Sequence, residues 1–293
     1  MFFSTLADKY FAERMKTILI FLFFISSLLP QDSLRTDSSK INYYKLSFIG
    51  AATLGGFIYG QAFQKNLWWK GEKSSFHFNW KEDWAYALGA DKLGHFYFPM
   101  LATNIYSDAF VWSGIDKEQS LLYGGITALT YQSFIEIKDG FSKQWGFSWG
   151  DFSANFLGTA YPLLQHKYPQ LKNFNLKVSF FPSERFKHGS NKVIFDDYES
   201  TYHWLSISIA NYLPEEVGKY YPKFMNVAVG HSVKGFNTNS RHREIFFSLD
   251  LNADELPGNS PFLKFIKKYL NFYHFPMPAV KVYPDVVWYG LKF

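Results

Sequence analysis

The sequence predicts an α+β protein: an N-terminal, membrane-associated four-helix bundle followed by a C-terminal, mainly antiparallel β region. Three observations carry that reading. Apolar segments of helical character fill the first half, at about residues 43–63, 91–112, 118–137 and 150–165. After Pro169 the pattern changes to alternating apolar and polar residues, as in Asn175–Phe181, Tyr202–Ile209 and Glu244–Leu251. Three polar clusters also interrupt the apolar half: Asp91-Lys92-Leu93-Gly94-His95, Gln132 to Glu136 and on to Asp139, and Ser148-Trp149-Gly150-Asp151 to Asn155. Ionisable groups in such helices are costly, and they usually face a bundle interior, a partner or a water-filled cavity.

Residues 1–31 are expected to be a signal peptide or an anchor, with Met15 the expected true start. Lys16 precedes an apolar core from Thr17 to Leu29, and Pro30-Gln31-Asp32 makes a polar exit. The core is short for a transmembrane span, and the lack of a clean small-x-small cleavage site leaves an uncleaved anchor open. Residues 32–42 are polar and serine-rich, and read as a linker.

The bundle is expected over 43–168. Its first helix carries Ala52, Gly56 and Gly60 at four-residue spacing, a face small enough for another helix to approach closely. The Trp-, Phe- and charge-rich run from Asn66 to Trp84 suits a chain lying along a membrane interface. In the second helix Pro99 should break or kink the chain, and the fourth should end at Pro162 or slightly beyond.

The β-rich region is expected over 169–293. Asn226–Lys234 and Val286–Phe293 also read as strands, Pro261–Asn271 as a short helix, and Phe275-Pro-Met-Pro278 as a proline-rich connection. A terminal Phe on an alternating aromatic strand is a feature of outer-membrane barrels. Such barrels usually need eight or more strands, and five or six candidates are present. A partly closed sheet packed on the bundle is therefore expected.

Composition narrows the function classes. The 293 residues include 33 Phe, 20 Tyr and 9 Trp, an aromatic load suited to a membrane boundary. The net charge is +5, but the basic residues are dispersed. An anionic lipid surface is thus the expected partner, and nucleic acid is not. No cysteine is present, which excludes disulfides, thiolate metal ligands and a lipidated Cys.

Asp91 with His95, Gln132 with Glu136 and Asp151 with Asn155 are each four residues apart, so each pair shares a helix face. If the three faces converge, Asp91, His95, Glu136 and Asp151 form a candidate acid–base set. Lys92, Gln132, Asp139 and Asn155 are then candidate ligand contacts. His95, Glu136 and Asp151 are the candidate ligands for a divalent metal. Structural readings compete with these. Asp91 could be a helix N-cap, Ser148 and Asp151 fit a capping box, and His95 with Glu136 could lock the bundle. Walker and dinucleotide patterns do not occur.

Asp-Lys-Leu-Gly-His at 91–95, then Glu136, then Gly146-Phe-Ser-Trp-Gly-Asp-Phe-Ser-Ala-Asn-Phe-Leu-Gly158 resembles the YfiM-like predicted periplasmic proteins of unknown function. More distantly the chain is similar to VanZ-like membrane proteins, through an Asp-Lys-x-x-His helix and a later Asp-x-x-x-Asn-x-x-Gly helix. The resemblance covers about residues 80–160 and implies the cell envelope. VanZ-like proteins are associated with glycopeptide resistance, which implies a setting and leaves the activity open. Membrane lipid and a lipid-linked or glycan ligand are the partners expected on this basis. Some YfiM-like members look like lipoproteins, whereas this chain lacks the necessary Cys.

Overall fold

The computed structural model describes residues 41–293 apart from 189–192, 194, 195 and 237. The expected signal region and nearly all of the expected linker lie outside the described residues. Helices fill the first half: α1 (Tyr43–Leu67), α2 (Ala90–Trp112), α3 (Lys117–Gly140) and α4 (Trp149–Lys167). Side-chain caps open three of them. Asn42 accepts from the Lys45 amide at 3.0 Å, Asp116 from Gln119 at 3.0 Å, and Ser148 from Asp151 at 2.8 Å.

Helices α2, α3 and α4 pack on one another, and small residues set their separation. A methyl group on Gly124 would lie 2.7 Å from the Thr103 carbonyl of α2, and one on Gly158 of α4 would collide with the Phe96 carbonyl. The first helix is different. It meets α3 through Phe57, whose ring centroid lies 5.6 Å from Tyr131 and 5.1 Å from Phe134. Most of its length is exposed, and Gly56 faces open space. The expected four-helix bundle is therefore three mutually packed helices with a peripheral fourth. Of the expected small-residue face, Gly60 is the member that meets another helix, at Tyr131.

Two of these helices carry an internal proline. Helix α2 runs on through Pro99, and α4 continues past Pro162 to Lys167. A proline removes one N–H from the helical ladder, and long stretches of well-packed helix on both sides hold the rod together.

The second half is one antiparallel meander of six strands in sequence order: β1 (Phe174–Phe180), β2 (Thr201–Ile207), β3 (Met225–Lys234), β4 (His242–Leu251), β5 (Met277–Tyr283) and β6 (Val287–Lys292). Strand β5 begins inside the run expected to be only a connection. A register shift between Met277 and Ala279 accommodates Pro278, consistent with the confinement of strand prolines to edges and bulges. The longest helix of this half, α5 (Pro261–Leu270), precedes β5. Trp204, Tyr202 and Phe246 form the apolar centre of the sheet's inner face. Beside them Asp250 is fully buried, meeting Ser206 Oγ at 2.5 Å, Lys177 Nζ at 2.7 Å and His274 Nδ1 at 2.9 Å.

Sheet and helices are tied across α2. Tyr97 Oη donates to the Phe272 carbonyl at 2.8 Å, Lys268 of α5 pairs with Asp108 at 2.6 Å, and Arg243 Nε donates to the Leu88 carbonyl at 2.8 Å.

Candidate functional site

The segment entering α2 is wound the wrong way for ordinary residues. Ala87 and Leu88 have φ of 45° and 52°, and Gly89 has φ of 90°. Left-handed non-glycine residues cost about 1–3 kcal/mol each and persist only where their surroundings fix them. Here Ala87 is buried with Tyr86, Tyr198 and Phe236 around it, and Arg243 holds the Leu88 carbonyl. Gly89 is the N-cap residue and supplies no side chain. Asp91, read from sequence as a candidate cap, instead turns its carboxylate into the protein, where Tyr198 Oη donates to Oδ1 at 2.6 Å.

Helix α4 is anchored from outside. Asp83 accepts from Ser148 Oγ at 2.5 Å and from the Gly150 amide at 3.0 Å, so a carboxylate sits at the helix's positive end. Ser148 caps as its spacing suggested. The carboxylate of Asp151 is thereby left to face inward.

Lys92 lies at the centre of the acidic groups. Its Nζ is 2.6 Å from Asp151, 2.9 Å from Asp91 and 3.4 Å from Asp83. One turn on, His95 Nε2 is 3.7 Å from both Asp91 and Asp151, while Nδ1 faces Asn155 Oδ1 at 3.1 Å and Glu136 at 3.5 Å. Asn155 Nδ2 donates to Glu136 Oε1 at 3.3 Å. Both imidazole nitrogens thus look at oxygen acceptors, the environment of an imidazolium.

The protonation states follow. Burial opposes a charge on His95, but Asp151, Asp91 and Glu136 outweigh it and raise its pKa to about 9. Burial would also raise Asp91; His95, Lys92 and the Tyr198 hydroxyl outweigh it and hold that carboxyl below its ordinary value. Asp151 is pushed up to about 6 by burial, against the pull of His95. Burial raises Glu136 well above the usual carboxylate range, and Asp151 and Asp139 add to the effect. Asp139 rises to about 7, also through burial, although Trp69 Nε1 donates to it at 2.6 Å. Groups titrating near neutrality side by side are suited to passing protons.

The cluster opens on a pocket of about 320 Å³ whose walls include Trp68, Tyr86, Tyr131 and Trp145. Gln132 and Asp139 line it, as do Asp91, Lys92, His95, Glu136 and Asp151; Asn155 stands behind His95. The eight residues singled out from sequence therefore gather around one site. The expected metal set does not stay together, because Glu136 faces Nδ1 of the imidazole and Asp151 faces Nε2. One ion cannot sit on both sides of a ring. The compact donor group is Asp91, His95 and Asp151, with ligand atoms within 4.8 Å of one another. The ammonium of Lys92 already lies against both carboxylates of that group.

Sequence reasoning missed Asp83, Tyr198, Tyr86 and Trp69. Asp83 sits in Lys-Glu-Asp-Trp, which reads as boundary charge, and Tyr198 lies 107 residues beyond its partner Asp91. Asp196 accepts from Trp68 Nε1 and Asp197 from Ser183 Oγ.

A charge cluster held between three packed helices and opening on an aromatic pocket defines the class: a helical polar-site protein carrying an antiparallel sheet. Residues 78–167 match a family model described as "Predicted periplasmic lipoprotein (DUF2279)". The match spans under a third of the chain and contains the three polar clusters; Tyr198 and the sheet lie outside it. No curated protein and no solved structure matches the chain.

Proposed function

We propose that this is an exported, membrane-associated protein of the cell envelope whose pocket receives the polar part of a glycan or lipid-linked ligand. One observation carries the reading: His95, flanked by Asp91, Asp151 and Glu136, faces a pocket walled by aromatic rings. Flat aromatic surfaces with a few convergent polar groups suit a sugar or headgroup. Within this reading Gln132 and Asp139 contact the ligand, His95 donates a proton toward it, and Asp151 and Asp139 are the acceptors. Asn155 fixes the imidazole plane. The envelope setting is supported by the description of the matched family, by the resemblance to YfiM-like and more distantly VanZ-like proteins, and by α1. That helix alone among the described residues is long and apolar enough to cross a membrane.

A second reading has its own support. Lys92 with Asp83, Asp91 and Asp151 ties the segment before α2 to α2 and α4, which is a structural lock. Lock and pocket divide the cluster between them: Lys92 closes the core, and His95 faces the opening. The test is native mass spectrometry of the purified protein and of its His95→Ala and Gln132→Ala variants. A copurifying glycan or lipid that both variants lose, while their circular dichroism is unchanged, supports the pocket. Equal ligand content in all three proteins would overturn it.

A further inference from the structure

The six-stranded sheet exposes apolar side chains on the face opposite its buried Trp204–Tyr202–Phe246 cluster. Across the register, Leu176, Leu205, Val229, Phe247, Val280 and Trp288 lie side by side in one row. Phe174, Ile207, Val227 and Leu249 form a second row on the same face. Neither row carries a charge, yet Leu205 is 41% exposed, Phe247 52% and Trp288 80%, whereas the next rows of this face, with His203, Val233 and Arg243, pack against the start of α2. The opposite face holds the buried pairs Lys177–Asp250, at 2.7 Å, and Lys281–Glu244, at 3.0 Å. A one-sided sheet in water buries its apolar face and wets its polar one. The reverse arrangement is that of a sheet whose outside is hydrocarbon.

Helix α5 repeats the inversion independently. Phe262, Leu263, Phe265 and Ile266 are exposed, whereas Lys267 is turned inward onto the Asp254 and Leu256 carbonyls at 3.1 and 2.8 Å. An amphipathic helix on a soluble domain points these residues the other way.

The free edge of β1 is also covered. Val178 N donates to the Phe272 carbonyl at 3.2 Å, His274 N donates back to Val178 at 2.9 Å, and the Phe181 and Phe293 rings lie 5.7 Å apart. Hydrocarbon demands such cover, since bare backbone groups find no partner in it.

We propose that the outer face of β2, β4, β5 and β6 is seated in the hydrocarbon of a phospholipid membrane, with the exposed face of α5 in the interface beside it. The proposal rests on the membrane association argued above and says which surface carries it. Strands β3 and β4 have 10 residues each, but their ends at Val233 and Arg243 pack against the start of α2, which leaves fewer than the roughly 9–11 residues that a crossing needs. Strand β6 has 6. The sheet is therefore a seated wall and not a complete barrel.

The absence of cysteine makes the test direct. Single-cysteine variants of the full chain, Phe247→Cys, Trp288→Cys and Phe265→Cys, are labelled with an environment-sensitive fluorophore and placed in phosphatidylethanolamine–phosphatidylglycerol vesicles. Leu54→Cys on α1 reports membrane association, and Lys219→Cys is the aqueous control. The expected result is a blue shift and loss of most emission to doxyl-labelled phospholipid at 247, 288 and 265, with Lys219→Cys quenched by iodide instead. Iodide quenching at 247 and 288 with lipid quenching at Leu54→Cys would overturn the seated sheet and leave membrane association standing. Iodide quenching at all four would remove both. Protection of 247 and 288 from both quenchers would show a protein cover, which also overturns the proposal.

Discussion

Raising the pH from 6 to 10 should weaken this fold through His95. Burial opposes the charge on its ring, but the Asp151 and Asp91 carboxylates outweigh it and, with Glu136 behind them, carry its pKa from 6.5 to about 9. The folded state then holds the proton more tightly than the unfolded chain does. The stability so gained is present in full below pH 6.5 and is lost as pH rises through about 9. At 1.36 kcal/mol per pKa unit, the shift corresponds to about 3 kcal/mol. The site's other raised groups act in the same direction: Asp151 and Asp139 also bind protons more tightly when folded, so they lose stability up to about 6 and about 7. From pH 6 upward these groups should make stability fall steadily towards pH 10. Imidazole NMR titration, with His95→Gln identifying the resonance, gives the pKa directly. Urea denaturation at pH 6 and pH 10 gives the linked stability. A His95 midpoint at or below 6.5 would refute the electrostatic account, whatever the denaturation curves do.

Lys92→Met should cost about 3–5 kcal/mol, because it strips the shared cation from buried carboxylates; a denaturation midpoint within error of wild type would remove the lock reading. Glu136→Gln should stay within about 1 kcal/mol of wild type at pH 7, since burial already favours the neutral carboxyl, whereas Glu136→Ala should lose about 2 kcal/mol or more by opening a cavity and orphaning Asn155. Equal losses in the two variants, measured by urea titration, would mean that Glu136 is ionised. Gly158→Ala should cost about 1–3 kcal/mol by forcing α4 away from the Phe96 carbonyl, and a thermal melt unchanged by the extra methyl would show that the helices are less tightly apposed.

Much of this architecture was legible in the sequence, and the failures have physical causes. The helix positions followed from apolar runs, and every expected strand was found close to its place. The helices at 91–112 and 150–165 were found within a few residues of those bounds despite Pro99 and Pro162, because packed neighbours hold both sides of each proline. Pro278 hid β5 because sequence does not mark a bulge. The site was legible as three polar pairs at helical spacing, since i and i+4 share a face whatever the tertiary fold. Which nitrogen of His95 meets which carboxylate was not legible, and that decided against the expected metal set. Asp83 and Tyr198 lay beyond any local pattern, because long-range closure alone gives them their partners.

The bond from Tyr198 to Asp91 carries a consequence for how the chain is made. The acidic cluster is synthesised early, while the hydroxyl that satisfies Asp91 and the Arg243 that clamps Leu88 arrive far later. During translation the helices must therefore carry an incompletely neutralised carboxylate and an unclamped left-handed turn until the sheet docks. Closing the long loop between Asp91 and Tyr198 completes a wall of the pocket. Completion of the pocket is in this way tied to the arrival of the C-terminal half, and a chain stopped before residue 198 would emerge with helices but without a finished site.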